Sequence, residues 1–408
     1  MIKRERLIKL TRKLIQIDSQ NPPGDESRIA KFVKNYLDNL GLKTKIYEFK
    51  KRRSNVVAVL GGRDKKHALL VTPHLDTVPA GKNWRFSPFK SKIYKGKIYG
   101  LGATDCKGNL ACALEAINSL VEARIVLNYN LVFAATSDEE SGSNLGLVPL
   151  LDKGILKPDA AVVLDSDDFE IIVTQKGLVH LKVKIQGVRA HGAYPWRGIN
   201  AIDIAIDILK ELKTHKFFYT KNKPRFSFNA ISNFKEGRGK YLRPPTLNIG
   251  TIKGGDKVNV VADWCEFELD FRFLPGMSER EILKELKNII QRHTQKFSRH
   301  SGIPLKAGKI EIEGIQKPYR IDEGHPLVRS LAQIIRNVGL RPIIKGSEGA
   351  TTITFFQNKN IPAIATGFGS QGCAHSADEY VKIDNLYKGA MVLEEFLKNY
   401  RSDKYGRN

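Results

Sequence analysis

The sequence predicts an α/β protein in which a smaller α+β domain is inserted into the first domain. Two runs, residues 131–135 and 160–164, are apolar without a break, as parallel strands covered on both faces are. Runs with helical spacing alternate with such strands in the first third of the chain, which is typical of α/β proteins. From about residue 178, apolar and polar residues alternate instead, which indicates strands with one exposed face.

The first part of the chain predicts alternating helices and strands. Apolar residues from Ile29 to Leu40 recur at helical spacing, and Gly41 follows them where a helix C-cap glycine is expected. The other elements predicted here are, in order, a strand over 67–72, a helix over 110–121, and strands over 131–135 and 160–164.

The second part predicts two helices against an antiparallel sheet. Residues 179–185 and 267–273 alternate between apolar and polar types, and a helix is predicted between them over 202–212. Another helix begins at Ser278, where Glu281 completes a capping-box pattern. Two helices on a sheet with one wet face indicate a separate α+β domain.

The pattern of the first part returns after about residue 300. A helix is predicted over 327–338 and a strand over 361–366. We therefore expect one α/β domain from residues 1–177 and 301–408, and an inserted domain from residues 178–300 with an irregular connection over 213–245.

Composition is that of an ordinary globular protein. The chain has 408 residues, of which 41% are hydrophobic and 27% charged, enough for the cores of two or three domains. No apolar run approaches the ~20 residues of a membrane helix, and the N-terminus lacks the features of a signal peptide. The four cysteines form no CxxC pair. We therefore expect a cytoplasmic protein with reduced thiols and no membrane partner.

The chain is strongly basic. Lys and Arg number 67 against 43 Asp and Glu, a formal net charge of +24. Such an excess raises the question of a nucleic-acid or other anionic partner. The basic residues are scattered along the chain, however, and aromatic residues at RNA-binding spacing are missing. We therefore expect a lysine-rich surface and no nucleic-acid partner.

Residue types that bind metal ions lie just past several predicted strands or in glycine-containing loops. They are His74 and Asp76 after 67–72, Asp105 in the turn 100–105, Glu139 and Glu140 after 131–135, Asp165 after 160–164, and His375 in the loop 372–377. The carboxyl ends of parallel strands meet at one edge of a sheet, so these side chains are expected to converge. Each residue alone has an ordinary explanation, such as a helix cap or a solvated loop. Together they predict a site for Zn²⁺ or a similar divalent ion.

Four motifs resemble those of one family. They are His74-Leu-Asp-Thr-Val-Pro79, Gly102-Ala-Thr-Asp-Cys-Lys-Gly108, Asp138-Glu-Glu-Ser-Gly142 and Ala190-His-Gly-Ala-Tyr-Pro195. They look like the M20 metallopeptidase and deacylase family, above all its branch of acetylornithine deacetylase and succinyl-diaminopimelate desuccinylase, which Ser19-Gln-Asn-Pro-Pro-Gly24 also fits. The resemblance implies a zinc-hydrolase α/β catalytic domain with an inserted lid and dimerisation domain, and hence a homodimer.

The resemblance also implies a site with two zinc ions per subunit, for which Co²⁺ can substitute. Asp105 would bridge both ions. His74 and Asp165 would complete the ligands of one ion, and Glu140 and His375 those of the other. Two ions that share a water lower its pKa and polarise a substrate carbonyl.

Three further residues receive catalytic roles from the resemblance. Asp76 would hydrogen-bond the far nitrogen of His74 and fix its tautomer. Glu139 would be the general base, which takes a proton from water and returns it to the leaving amine. His191, in the insert, would reach the other subunit's site and hydrogen-bond the tetrahedral oxyanion.

Substrate contacts follow from weaker matches. Asn259 and Arg272 match positions that hold the carboxylate end of the substrate, and Thr351 lies in a late stretch that matches in part. The chain departs from the desuccinylase pattern at Gln175, Leu178 and Ile353, among others, where that pattern has Arg, Ser and Asp. These departures weigh against a succinyl substrate without favouring another.

We therefore expect a cytoplasmic, dimeric, zinc-dependent amide hydrolase that removes an acetyl- or succinyl-like group from a small N-acyl amino acid. The alternative within the enzymes is an exopeptidase or dipeptidase with the same metal site, since both reactions hydrolyse an amide beside a carboxylate. The alternative from another class is a non-catalytic basic protein that binds RNA or another anion. The complete set of ligand types argues against it.

Overall fold

The computed structural model describes residues 1–214, 242–349 and 351–401, so most of the connection predicted over 213–245 lies outside the described residues. The chain forms two compact units. The first comprises Met1–Val173, Ile321–Gly346 and the chain from Thr351 onward, and the second comprises Thr174–Arg320 with a short segment that begins at Ser347. An α/β unit is thus interrupted by a smaller unit, as the sequence predicts.

Helices occur in both units. In chain order they are α1 (Arg4–Ile15), α2 (Ser27–Asn39), α3 (Lys107–Glu122), α4 (Leu147–Asp152), α5 (Ala201–Thr214), α6 (Glu279–Ser301), α7 (Pro326–Asn337), α8 (Ile353–Gln357) and α9 (Ile383–Asn399).

Strands also occur in both units. In chain order they are β1 (Lys43–Glu48), β2 (Ser54–Leu60), β3 (Ala68–Thr72), β4 (Lys92–Tyr94), β5 (Lys97–Tyr99), β6 (Asn130–Ala135), β7 (Ala160–Leu164), β8 (Glu170–Gln175), β9 (Gly177–Gln186), β10 (Ala190–His191), β11 (Thr246–Gly254), β12 (Val260–Val261), β13 (Trp264–Phe273), β14 (Lys309–Gln316), β15 (Tyr319–Arg320), β16 (Ile343–Ser347), β17 (Ala363–Thr366) and β18 (Tyr380–Lys382).

The first unit is built on a sheet with the strand order β1-β2-β6-β3-β7-β17-β8, and β16 also pairs with β8. The central strands β6, β3, β7 and β17 are parallel to one another, whereas β1, β2 and β8 are antiparallel to their neighbours. Every residue of β7 is buried, which explains the unbroken apolar run that predicted this strand. A smaller sheet in the same unit has the order β18-β5-β4.

Helices of the first unit pack against one another and against strands of its large sheet. α1, α3 and α9 pack against one another, α7 packs against α9 and β17, and α2 packs against β1 and β2. The spacing that predicted α2 is confirmed, because Ile29, Val33 and Leu37 are buried and Gly41 follows with a φ of 82°. No helix among the described residues has both the length and the apolar character that a membrane span requires.

The second unit contains an antiparallel sheet of order β11-β13-β9-β14, and α5 packs against β13, β9 and α6. The predicted alternation is confirmed in β9, where Val179 and Leu181 are buried and His180 is not. Leu181 lies opposite Leu269 of β13, so apolar residues face each other across the strands. The sheet includes β14, although the boundary expected from the sequence falls before this strand at residues 300–301.

One local prediction in this unit is wrong. Ser278 occupies the N-cap position of α6 with an extended backbone, but its side chain makes no capping hydrogen bond. The helix nevertheless begins at the predicted place, because its apolar residues Ile282, Leu286 and Ile289 are buried in the core of the unit.

Candidate metal centre

The predicted metal ligands of the first unit converge at the carboxyl edge of the parallel strands. His74 follows β3 and forms a parallel bridge with Thr136, which follows β6 and leads to Glu139. The N–H of Asp165, the residue after β7, donates to the carbonyl of Thr366 at the end of β17. Neighbouring strands therefore end at one level, and residues from distant parts of the chain meet there.

Two groups of candidate ligands share one aspartate. His74, Asp105 and Asp165 form the first group, and Asp105, Glu140 and His375 form the second, with the donor atoms of each group within 4.8 Å of one another. Nε2 of His74 is 2.8 Å from Oδ1 of Asp105 and 4.0 Å from Oδ1 of Asp165. Nε2 of His375 is 3.1 Å from Oδ2 of Asp105 and 3.2 Å from Oε1 of Glu140. Asp105 thus presents a different carboxylate oxygen to each histidine.

The donor types fit divalent metal ions. Each group offers one imidazole and two carboxylates, ligands that suit Zn²⁺ and similar ions. The carboxylates lie close together and repel one another. Burial and the neighbouring Asp105 therefore raise the pKa of Asp165 to about 7. Burial also opposes the charge of Asp105, but hydrogen bonds from His375 and His74 hold the pKa of Asp105 below its ordinary value. A cation placed among these carboxylates relieves their mutual repulsion.

The ring of His74 is oriented by Asp76, but through the main chain. Nδ1 of His74 lies 2.9 Å from the backbone carbonyl oxygen of Asp76 and 3.7 Å from its carboxylate Oδ1. The hydrogen bond expected between the imidazole and the carboxylate of Asp76 is therefore replaced by one to the carbonyl. Since Nδ1 faces this carbonyl, Nε2, which hydrogen-bonds Asp105 here, is the ring nitrogen left to bind a metal ion once it has lost its proton.

The carboxylate of Asp76 holds the loop that carries the two glutamates. Its Oδ1 accepts the backbone N–H of Glu139 at 3.1 Å, and its Oδ2 accepts that of Glu140 at 3.2 Å. Oδ2 also accepts the side-chain amide of Asn21 at 2.9 Å. Asn21 lies in one of the motifs that carried the family resemblance, but the motif alone did not indicate this contact. Asp76 therefore acts on the glutamates as well as on His74.

A buried ion-pair network fixes Asp138, the residue before the two glutamates. Arg53 donates to Glu26 through Nε and Nη2 at 2.8 Å each, and through Nη2 to Asp138 at 2.9 Å. The other carboxylate oxygen of Asp138 accepts the N–H of Leu145 at 2.9 Å. Sequence analysis did not identify this network, because nothing local distinguishes Arg53 from Arg52 in the same basic run.

Glu139 lies beside the ligands but belongs to neither ligand group. Burial, together with the nearby Asp165, raises the pKa of Glu139 well above its ordinary value. A carboxylate outside the ligand groups whose pKa is raised is suited to accept a proton and return it.

Two buried groups beside Asp105 were not predicted. The thiol of Cys106 accepts the N–H of His74 at 3.1 Å, and burial raises the pKa of Cys106 to about 12, so the thiol remains protonated. The carboxylate of Glu379 accepts backbone N–H groups from the segment that carries Asp105. Its position shortly after His375 is the only trace of this role in the sequence.

The second unit carries the predicted residues His191 and Asn259 as neighbours. His191 of β10 lies opposite Val260 of β12, and the N–H of Gly192 donates to the carbonyl of Asn259 at 2.8 Å. The imidazole of His191 is exposed, and its Nδ1 accepts the N–H of Ala193 at 3.0 Å. In the neutral ring the proton is therefore on Nε2, which is left as a donor.

Arg272 and Thr351 have contacts within their own segments. Nε and Nη2 of Arg272 donate to the two carboxylate oxygens of Asp270 at 2.7 and 3.0 Å. Side chains two residues apart on a strand lie on the same face, so the pairing of Arg272 with Asp270 could have been predicted from the strand alternation in the sequence. Oγ1 of Thr351 accepts the N–H of Ile353 at 3.4 Å. The guanidinium group expected to bind the substrate carboxylate is thus already paired.

Imidazoles and carboxylates gathered around a shared aspartate, at the carboxyl edge of an α/β sheet, are typical of a metal-dependent hydrolase. The chain belongs to peptidase family M20/M25/M40, whose sequence profile matches residues 70–399. The enzyme is therefore a metal-dependent hydrolase of amide bonds, and the family resemblance drawn from the motifs is confirmed.

Similar proteins cover almost the whole chain. An uncharacterized metallohydrolase of Methanocaldococcus jannaschii is 30% identical over 97% of this chain and 99% of its own. The acetylornithine deacetylase of Proteus mirabilis is 26% identical over 98% of each chain. The structure of a tripeptidase from Staphylococcus aureus matches with a TM-score of 0.76 and 25% identity over 98% of each chain. The predicted fold class, a catalytic α/β unit with an inserted unit, is confirmed by this likeness.

Proposed function

We propose that this hydrolase holds two zinc ions and removes a small acyl group, acetyl- or succinyl-like, from an N-acylated amino acid. The observation that carries the proposal is that the two carboxylate oxygens of Asp105 face different histidines: Oδ1 faces His74 and Oδ2 faces His375. A carboxylate so placed can bridge two ions, with Asp165 and Glu140 as further ligands, one to each ion. The likeness to acetylornithine deacetylase supports an N-acyl amino acid as the substrate. Co²⁺ is expected to substitute for zinc at these ligands.

Divalent ions at such ligands polarise a carbonyl and lower the pKa of water. The chain itself provides the proton transfer. Glu139 takes the proton of the attacking water and delivers it to the leaving amine nitrogen. Asp76 keeps Glu139 in place by accepting its backbone N–H. The ion pair of Arg53 with Asp138 anchors the same loop from its other side.

Residues of the second unit complete the proposal. His191 donates from Nε2 to the oxyanion of the tetrahedral intermediate, because its Nδ1 already accepts a backbone N–H. Asn259 and Arg272 bind the substrate carboxylate, with Arg272 exchanging Asp270 for it, and Thr351 of the first unit contributes a hydroxyl. We further propose a homodimer in which His191 serves the site of the other subunit. Sedimentation equilibrium tests the assembly, and a monomer at all concentrations contradicts it.

A cytoplasmic location is part of the same proposal. All four cysteines are buried and unpaired, as expected for a protein of a reducing compartment.

A substrate panel tests the proposed activity. The zinc-loaded protein is assayed against N-acetyl and N-succinyl amino acids, dipeptides and tripeptides at matched concentrations, with Glu139→Gln as a control for contaminating hydrolases. We expect kcat/KM to be highest for an N-acyl amino acid. If kcat/KM is higher for a dipeptide or tripeptide, the enzyme is an exopeptidase instead. The likeness to a tripeptidase is the observation in favour of this second function.

A further inference from the structure

The carboxylate of Glu379 is buried inside the chain segment that carries Asp105. It is 1% exposed. Its Oε2 accepts the backbone N–H of Gly102 at 2.8 Å, and its Oε1 accepts those of Thr104 at 2.8 Å and Asp105 at 2.9 Å. One side chain therefore gathers three N–H groups of a short turn around itself.

Strand pairing brings Glu379 to this turn. Tyr380, the first residue of β18, lies opposite Tyr99, the last residue of β5. The backbone carbonyl of Glu379 accepts the N–H of Gly100 at 2.9 Å, and the hydroxyl of Thr104 donates to the carbonyl of Tyr380 at 2.7 Å. The turn after β5 is consequently bonded to Glu379 in two ways, through the backbone carbonyl of Glu379 and through its carboxylate.

Glu379 also lies shortly after His375 in the same loop. It therefore connects the segment of Asp105 with the loop of His375, two residues whose Oδ2 and Nε2 atoms are 3.1 Å apart. We infer that Glu379 is a positioning residue of the metal centre, which holds Asp105 and His375 at the separation that metal binding requires. The inference rests on the metal ligands of the proposed function. It assigns to Glu379 a role in metal affinity without direct contact with an ion.

The hydrogen bonds explain why a carboxylate occupies this position. The N–H groups approach both oxygens, so each oxygen of Glu379 must be an acceptor. In Glu379→Gln the amide oxygen can still accept from Thr104 and Asp105, but the NH₂ group then faces the N–H of Gly102. Two donors facing each other in a buried place are unfavourable, so the turn must shift. Asp105 lies at its end and shifts with it.

Zinc binding by the full-length protein tests the inference. Dissociation constants are measured by competition with a chromophoric chelator for the wild type and Glu379→Gln. We expect the variant to bind Zn²⁺ about 10- to 100-fold more weakly, the usual effect of losing a partner that orients metal ligands. Because Asp105 belongs to both ligand groups, both ions should be affected.

Two control variants separate positioning from general destabilisation. Asp378→Asn alters the neighbouring carboxylate of the same loop, which accepts the N–H groups of Arg85 and Phe86 rather than those beside Asp105. Glu394→Gln alters another buried carboxylate, which accepts the hydroxyl of Ser119. Both controls should retain wild-type affinity for Zn²⁺, whatever their change in melting temperature.

The outcomes are distinct. Wild-type zinc affinity in a folded Glu379→Gln protein overturns the inference, and so do equal losses in the controls. A wild type that binds no Zn²⁺ refutes the proposed metal centre instead. If Glu379→Gln does not fold, the zinc affinity of Glu379→Asp, which keeps the charge on a shorter side chain, is measured instead. Weaker zinc binding supports the inference, and wild-type affinity overturns it. Should neither variant fold, rapid hydrogen exchange of the Gly102 and Thr104 amides in the wild type overturns the inference, and exchange as slow as that of β7 supports it.

Discussion

Removal of Arg53 is expected to destabilise the first unit strongly. Its side chain is 7% exposed, and its partners Glu26 and Asp138 are 0% and 6% exposed. In Arg53→Met both carboxylates lose the buried cation that neutralises them. Breaking a buried ion pair from one side costs about 3–5 kcal/mol. At roughly 2–4 °C per kcal/mol for a unit of this size, the melting temperature of that unit should fall by roughly 6–20 °C.

The neighbouring arginine is a matched control. Arg52 is 67% exposed and pairs with Asp25, itself 35% exposed, at 3.3 Å. Exposed pairs contribute about 0–1 kcal/mol, so Arg52→Met should change the melting temperature only slightly. Differential scanning calorimetry of both variants checks the contrast. Equal shifts in Arg52→Met and Arg53→Met refute the reasoning, because burial is then not what makes Arg53 important.

The destabilisation should also depend on pH. Burial raises the pKa of Glu26 even while the hydrogen bond from Arg53 lowers it, so removing Arg53 raises the pKa further. Glu26 in the folded variant then holds its proton more tightly than a glutamate of the unfolded chain, whose pKa is ~4.3. Stability consequently falls as pH rises from that value through the folded pKa. The loss relative to wild type should be larger at pH 8 than at pH 5, and a loss independent of pH contradicts this account.

Further predictions concern the metal centre and the substrate. Glu139→Gln should keep both ions while kcat falls by ~10²–10⁴-fold, whereas Glu140→Gln should lose metal. If the activity of Glu139→Gln declines only in step with its metal content, Glu139 is a ligand. Elemental analysis of zinc-saturated His375→Ala should find one ion where the wild type holds two, and one ion in the wild type refutes the dinuclear centre. Arg272→Lys should lower kcat/KM more for an N-acyl amino acid than for its amide, because a lysine cannot bind a carboxylate bidentately. Equal losses for acid and amide mean that Arg272 only pairs with Asp270.

Local sequence was sufficient for much of the fold. β7 coincides with the apolar run over 160–164, and the helical spacing from Ile29 to Leu40 falls within or next to α2. Such elements are predictable because burial of one face or both imposes a period that can be read along a single segment. The convergence of His74 and Asp165 followed from the same reasoning, since parallel strands end at one edge.

Contacts between distant segments could not be predicted in this way. The carboxylate of Asp76 was expected on the ring of His74, yet it accepts the N–H groups of Glu139 and Glu140. Which acceptor reaches which donor depends on how the loop after β3 lies against the loop after β6. No period along the chain encodes that arrangement.

The sequence by itself determined the α/β class, the inserted unit, the residue types at the strand ends and the family. The tertiary structure alone decided that Arg53 is buried between two carboxylates while Arg52 is exposed, and that Glu379 lies inside the turn of Asp105. The reason is physical. Apolar burial repeats with the geometry of helix and strand, whereas a buried charge is placed by single hydrogen bonds to residues far away in the chain.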